Sequence, residues 1–172
     1  MASGRHHDRA TKLLALPAAL VVWPWLGWAG VGAAAVGFLA GGLLLSPDLD
    51  TVSRPTARWG VLAAMWWPYR RLLRHRSLLS HSPLLGTAGR LTYLACGVLA
   101  VAAVSQPFGG PSPASLWQQG LQLWQHQREL LIAALVGVEG SSWLHLLQDG
   151  DPMPRLPRAL RWLGGRKPRS RT

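Results

Sequence analysis

The chain has 172 residues and a formal net charge of +11, with 49% hydrophobic and only 15% charged residues. Soluble domains carry about 25% charged residues, so the composition speaks against an ordinary soluble protein. The length allows one domain. Cys96 is the single cysteine, which excludes an intrachain disulfide and a zinc site built on two or more thiolates. It lies in an apolar run, and we expect it to be a buried core residue.

The first apolar stretch runs from Leu13 to Leu45 without a charged residue. As one helix it would be about 50 Å long, against a hydrocarbon core of about 30 Å, so we expect a break at the segment WPWLGW. This predicts a short segment over residues 10–23, either a full crossing or a half-span, and a fuller one over 28–45. A cleaved signal peptide is the alternative, but the apolar run continues past any plausible cleavage point.

A basic amphipathic helix is predicted to begin at Thr56. Apolar side chains recur there every three or four residues, while the arginines lie off that stripe. The stripe consists of Trp59, Leu62, Trp66, Tyr69 and Leu73. This pattern is typical of a helix that lies in the membrane interface, here bent at Pro68. The alternative is a helix that packs its stripe on the protein's own core.

Two further apolar helices are predicted. Ser82 and Pro83 are a cap and a first-turn proline, and the helix they start is apolar over 91–104, with Arg90 extending to the interface at its entrance. After a loop over 105–115, a last helix begins near Ser115 and is apolar over 130–147. The fold class is therefore all-α, a polytopic helical membrane protein with about four apolar segments plus the interfacial helix. We predict one domain over residues 1–150 and a basic, proline-rich, partly disordered tail over 151–172.

The basic residues are distributed unevenly along the chain. With four membrane passes, 17 of the 18 lysines and arginines fall on one face, which the positive-inside rule makes cytoplasmic. This predicts a protein of the bacterial inner membrane, with both termini in the cytoplasm and anionic lipids as partners. The sequence contains no helix-turn-helix, zinc-finger or RNA-binding pattern, so nucleic acid is not an expected partner.

Metal-capable side chains are concentrated in four polar patches at the edges of the apolar stretches. Histidine and aspartate in several such patches are typical of a metal site assembled from helix ends. The patches are His6, His7 and Asp8; Asp48 and Asp50; His75 and His81; and His145 and Asp149. Each pair alone has a simpler interpretation as a cap or a solvated loop, but the predicted topology puts all four on one face. Glu139 lies about two turns from His145, and we expect it to support the site or the helix packing.

Several stretches resemble a bacterial family of uncharacterised metal-binding membrane proteins: SGRHHDRAT, SPDLDT, residues 58–94 and HLLQD. More loosely, PDLD, HRSLLSHS and HLLQD resemble the membrane-bound metal-dependent hydrolases of the YdjM type. The resemblance covers most of residues 3–150. It implies that the functional positions are His7, Asp48, Asp50, His75, His81, His145 and Asp149. Because His6 precedes His7, the choice between these two histidines stays open.

Seven nitrogen and oxygen donors exceed the needs of one tetrahedral zinc ion, which favours a two-metal site. Without thiolates, zinc is the leading ion, with manganese and iron as alternatives. We assign Asp48 and Arg76 to catalysis: a carboxylate bridging two ions activates water, and Arg76 holds a substrate phosphate. The predicted function is a metal-dependent hydrolase acting on a phosphoester or lipid headgroup at the cytoplasmic surface. The alternative is a non-catalytic metal-binding membrane protein with a structural or sensing role.

Overall fold

A computed structural model describes residues 4–73, 75 and 77–150. Every regular element in these ranges is helical, as the all-α prediction requires. The α-helices are α1 (Gly4–Ala19), α2 (Trp23–Leu43), α3 (Arg54–Arg58), α4 (Trp67–Leu72), α5 (Leu78–His81), α6 (Leu85–Ser105) and α7 (Pro113–Gln148). Short 3-10 helices lie at Leu20–Val22, Pro47–Asp50, Gly60–Trp66 and Gln106–Phe108. The predicted tail over 151–172 lies outside the described residues.

Helices α1 and α2 form an antiparallel hairpin. The chain reverses at Gly27, whose φ of 56° and ψ of −158° suit glycine. Thr11 lies against Gly42, while Ala19 packs with Ala34 near the turn. The start of α1 and the end of α2 therefore lie at the same end of the bundle.

Helices α2 and α7 run parallel and make the closest helix contact in the fold. A Cβ atom at Gly37 would lie 2.0 Å from the Ala134 carbonyl oxygen, and one at Gly137 would lie 2.1 Å from the Ala34 oxygen. Small residues of this kind let two helix backbones approach directly. The contact brings the carboxyl ends of both helices to the end of the bundle where α1 begins.

Three helical stretches of the described chain are long and apolar enough to cross a membrane: Gly4–Asp50, Leu85–Phe108 and Pro113–Gln148. The prediction of about four apolar segments differs from this count. The difference arises because the segments expected over 10–23 and 28–45 belong to one helical stretch of 47 residues, folded at Gly27.

The prediction of a single interfacial helix from Thr56 is wrong. The region contains α3, the 3-10 helix Gly60–Trp66 and α4, and Gly60 breaks the helix with a φ of 54°. Pro68 lies in the first turn of α4, where proline is tolerated, and does not bend a longer helix. Trp66 and Tyr69 are buried in a cluster with Leu45 and Leu49. Most of the stripe therefore packs on the protein's own core, as the alternative prediction had it, whereas Leu62 is 58% exposed.

The starts of α6 and α7 differ slightly from the prediction. Helix α6 begins after Leu84, which has a φ of 59° and whose amide donates a 2.8 Å hydrogen bond to the Glu139 carboxylate. Helix α7 begins at Pro113, two residues before the predicted Ser115, because Ser112 is its cap and accepts from the Ser115 amide.

The expectation that Cys96 is buried is wrong, because Cys96 lies exposed on α6. Helix α7 has a non-helical residue at Gln127, where the predicted polar half meets the apolar half.

Candidate metal centre

All seven predicted ligands meet at the end of the bundle where α1 begins and where α2 and α7 end. They form a continuous series in which each imidazole lies within 3.8 Å of a carboxylate oxygen of the next residue. In spatial order the series is His7, Asp149, His145, Asp48, His81, Asp50 and His75. The predicted catalytic residue Arg76 lies outside the described residues.

The first group of donors is His7, His145 and Asp149, whose ligand atoms lie within 4.8 Å of one another. His7 Nε2 is 3.2 Å from Asp149 Oδ1, and His145 Nε2 is 3.5 Å from Asp149 Oδ2. The spacing of four residues puts His145 and Asp149 on one face at the end of α7. His7 is 7% exposed, whereas the preceding His6 is exposed. The structure thus brings His7, and not His6, into the centre.

The second group is Asp48, His75 and His81, whose ligand atoms also lie within 4.8 Å of one another. Ser46 caps the 3-10 helix Pro47–Asp50, because its hydroxyl accepts from the Asp48 amide. This turn directs Asp48 towards His81, which ends the short helix α5. The Asp48 Oδ1 to His81 Nε2 distance is 3.8 Å.

Asp48 is the donor of the second group that lies next to the first group. Its Oδ1 atom is 3.5 Å from His145 Nε2 in the first group and 3.8 Å from His81 Nε2 in the second. Its side chain is 25% exposed, so solvent reaches the position between the groups. Asp48 is thus placed so that ions bound at the two groups could share its carboxylate.

Asp50 has a different environment from Asp48. Its side chain is fully buried, and its two oxygens approach the Nδ1 atoms of His75 at 2.9 Å and of His81 at 3.3 Å. It belongs to neither group of three donors. Direct ligation by Asp50 therefore stays a prediction.

The buried polar atoms of the centre fit a bound metal. His81 Nε2, His145 Nε2 and Asp50 Oδ2 are buried without a hydrogen-bond partner. A buried polar atom without a partner costs about 1–3 kcal/mol, and a metal ion would provide the missing interaction for an imidazole nitrogen. The donors are imidazole nitrogens and carboxylate oxygens, which suit zinc, manganese or iron.

The electrostatics of the centre are dominated by its carboxylates. Burial disfavours the charged form of His81, but Asp48 and Asp50 favour it more strongly and raise the pKa of His81 from 6.5 to about 9. The metal-free centre therefore holds a proton on His81 at neutral pH. A metal ion must displace that proton, since only the neutral imidazole nitrogen can bind it.

Sequence reasoning missed one contact of His7 and misplaced Arg90. Gln148 Oε1 lies 2.7 Å from His7 Nδ1; its position beside Asp149 in HLLQD was the available signal. Arg90 does not extend to the interface: it is 1% exposed, at the site end of α6. Its guanidinium donates to the Ser80 carbonyl at 2.8 Å and to the Ser142 hydroxyl at 2.9 Å. A charged residue in an apolar segment was the signal for it.

Asp8 and Glu139 are carboxylates near the centre with other partners. Asp8 forms ion pairs with Arg58 at 2.5 Å and Arg54 at 3.4 Å, and these pairs connect α1 to α3. Glu139 accepts the hydrogen bond from the Leu84 amide at the start of α6. Both contacts stabilise the helices that carry the donors.

The fold and the donors define a helical protein with a histidine and aspartate metal centre at one end of its bundle. A family model described as "Uncharacterized metal-binding protein (DUF2227)" matches residues 2–156, so the chain belongs to that metal-binding family. A protein of Aquifex aeolicus (strain VF5), described only as uncharacterized, is 45% identical over 60 residues, which are 34% of this chain and 42% of that relative. The match thus spans less than half of the relative's length. No solved structure matches the chain.

Proposed function

We propose that the protein is an integral membrane protein whose metal centre faces the cytoplasm. Large apolar side chains on α2 and α6, such as Val36, Val101 and Val104, are exposed, as expected of surfaces that contact lipid. Trp25 and Trp28 are exposed at the hairpin turn opposite the centre, where an aromatic belt would lie. The uneven distribution of basic residues supports a cytoplasmic centre and contact with anionic lipids.

Labelling of single cysteines from either side of the membrane tests this orientation. In a background with Cys96 replaced, Val52→Cys marks the site end and Phe108→Cys the opposite end, and both positions are exposed. We expect Val52→Cys to react only from the cytoplasmic side and Phe108→Cys only from the other side. Labelling of both from one side would contradict the proposed arrangement.

We further propose that the centre is a two-metal hydrolase site acting on a phosphoester or lipid headgroup. The observation that carries this proposal is the position of Asp48: it is one of the three donors of the second group, it also lies 3.5 Å from His145 Nε2 of the first group, and it is partly open to solvent. Two bound divalent ions, with zinc the leading candidate, would lower the pKa of a coordinated water and neutralise charge on a phosphoester. The loose resemblance to YdjM-type hydrolases supports the same reaction.

The chain's own residues have distinct tasks in this proposal. Asp48 orients water at the mouth of the centre, because its carboxylate can accept a hydrogen bond beside both groups. His81 and His145 are buried, so the inner side of the centre excludes water, which strengthens the electrostatic interactions there. Arg76 is assigned to the substrate phosphate because it follows His75 in the chain and guanidinium groups bind phosphate in a bidentate manner.

Hydrolysis of generic phosphoesters and lipid phosphates by protein reloaded with zinc or manganese tests the reaction. We expect His7→Ala to abolish turnover and His6→Ala to keep wild-type turnover, because the exposed His6 side chain lies outside both groups of donors. Equal turnover in the two variants, or no turnover by wild type on any substrate, would contradict the hydrolase proposal.

A structural metal is the second candidate, favoured by a specific observation. The donors come from the start of α1, the turn after α2, the α5 region and the end of α7, so an ion there would join four parts of the chain. In that case chelation should sharply lower the melting temperature, because a ligand that binds only the native state stabilises it. A hydrolase whose helices pack without the metal should instead lose turnover on chelation but stay folded, with a cooperative unfolding transition of the metal-free protein.

A further inference from the structure

The two ring nitrogens of His7 face different partners. Nδ1 lies 2.7 Å from the Gln148 side-chain oxygen, and Nε2 lies 3.2 Å from Asp149 Oδ1. A carbonyl oxygen can only accept, so the hydrogen of the neutral ring must be on Nδ1. Nε2 then has a free lone pair beside Asp149, which is the arrangement of a metal ligand.

Asp50 approaches two histidines at the same ring atom, Nδ1. Its oxygens lie 2.9 Å from His75 Nδ1 and 3.3 Å from His81 Nδ1, where the Ser80 hydroxyl also lies at 3.1 Å. His81 Nε2 points away from these groups, is buried without a hydrogen bond, and is 3.8 Å from Asp48. The fully buried Asp50 therefore lies behind the two imidazoles, and the partly exposed Asp48 lies in front of one of them.

We propose that Asp50 and Gln148 are positioning residues of the metal centre. Gln148 holds Nδ1 of His7 and Asp50 holds Nδ1 of His75 by a hydrogen bond, and Asp50 pairs electrostatically with Nδ1 of His81, so that Nε2 of each ring faces the ions. Outer partners of this kind fix the ring orientation and the protonated nitrogen of metal-binding histidines and increase their basicity. This inference rests on the metal-binding part of the proposed function.

If Asp50 is a positioning residue, six of the seven predicted donors remain as ligands. They form two groups of three, and Asp48 is in reach of both groups. Two groups of three donors leave coordination positions for water, which a hydrolase requires and a closed structural site does not. The competing assignment is ligation by Asp50 Oδ2, the oxygen that lacks a hydrogen bond.

A comparison of Asp50→Asn with Asp48→Asn decides whether Asp50 is a positioning residue or a ligand. Both variants replace one carboxylate oxygen by an amide nitrogen, so any difference between them reflects the position of the residue. The readouts are the number of zinc ions per purified chain at saturation and the dissociation constant from competition with a chelator. For Asp50→Asn we expect the wild-type number of ions and binding weakened by about 10–100-fold, the usual effect of losing an outer partner. For Asp48→Asn we expect at least one ion to be lost. Loss of an ion in Asp50→Asn as in Asp48→Asn would overturn the assignment of Asp50.

Gln148 gives a second, independent test. Gln148→Leu removes the acceptor for His7 Nδ1 without changing the charge, whereas Gln148→Glu keeps an acceptor and adds a negative charge that favours a bound cation. We expect the leucine variant to bind zinc about 10–100-fold more weakly and the glutamate variant to bind zinc at least as tightly as wild type. Equal weakening in both would overturn the positioning role of Gln148. Catalysis does not enter these measurements, so a wild type that binds zinc without turnover would refute only the hydrolase proposal, and one that binds none of zinc, manganese and iron would refute both.

Discussion

Gly37→Ala should disturb the metal centre although Gly37 belongs to neither group of donors. The residue lies on α2 where the backbone of α7 crosses it, and a Cβ atom there would be 2.0 Å from the Ala134 carbonyl oxygen. A carbon to oxygen contact requires about 3.3 Å, so the two helices would have to separate by roughly 1 Å. Helix α2 leads into Asp48 and α7 carries His145, so the separation would be transmitted to the distance between them.

The expected magnitudes follow from two opposing effects. Overpacking costs about 1–3 kcal/mol, while alanine in a helix is favoured over glycine by about 1 kcal/mol. Gly37→Ala should therefore lower the free energy of unfolding by up to about 2 kcal/mol. Functional centres need donors within about 0.5 Å of their proper positions, so a shift of roughly 1 Å should weaken metal binding by tenfold or more.

Gly32→Ala is the matched control, because a Cβ atom at Gly32 would meet nothing within 4 Å. It should keep wild-type metal affinity and gain up to about 1 kcal/mol of stability from helix propensity. Thermal unfolding in detergent and zinc competition against a chelator measure both quantities for both variants. Wild-type affinity and stability in Gly37→Ala would refute the proposed coupling between the helix contact and the centre.

Three further predictions concern the centre itself. Asp48→Asn should reduce the metal content of both groups, whereas His75→Ala should affect only its own; equal losses measured by elemental analysis would count against a shared Asp48. Because the pKa of His81 is raised to about 9, zinc affinity should fall about tenfold for each pH unit below that value, as the proton competes with the metal; calorimetry that finds the same affinity at pH 6 and pH 8 would rule this out. Arg90→Leu should lower the free energy of unfolding by about 3 kcal/mol or more, because three buried acceptors lose their donor, while the exposed Arg9→Leu should change it by less than about 0.5 kcal/mol. Similar melting temperatures for these two variants would show that the Arg90 contacts do not stabilise the fold.

The location of the centre was predictable from the sequence because its donors recur at the edges of apolar stretches. Apolar helices that cross the same distance and reverse direction bring such edges together. Of the nine residues in this pattern, the structure brings together the seven that the family resemblance implies, and their ligation stays a prediction. The choice of His7 over His6 required the structure, because adjacent helical residues point in different directions and only packing decides which is buried.

Other parts of the fold were beyond the sequence pattern for physical reasons. The stripe from Trp59 to Leu73 has helical periodicity, but three short helices in succession can present the same stripe as one long helix. Gly60 decides between one long helix and several short ones, because its positive φ prevents α3 from continuing. Arg90 was expected at the interface because its partners, the Ser80 carbonyl of α5 and the Ser142 hydroxyl of α7, become its neighbours only when both helices pack against α6.

The central claim is that four separate parts of the chain form one centre that binds two divalent ions. Anomalous X-ray scattering from crystals of the metal-loaded full chain, collected at the zinc, manganese and iron edges, tests it most directly. We predict two peaks on either side of Asp48, one bound by His7, His145 and Asp149 and the other by His75 and His81. A single peak, or peaks at the exposed His6 or His126, would contradict the account.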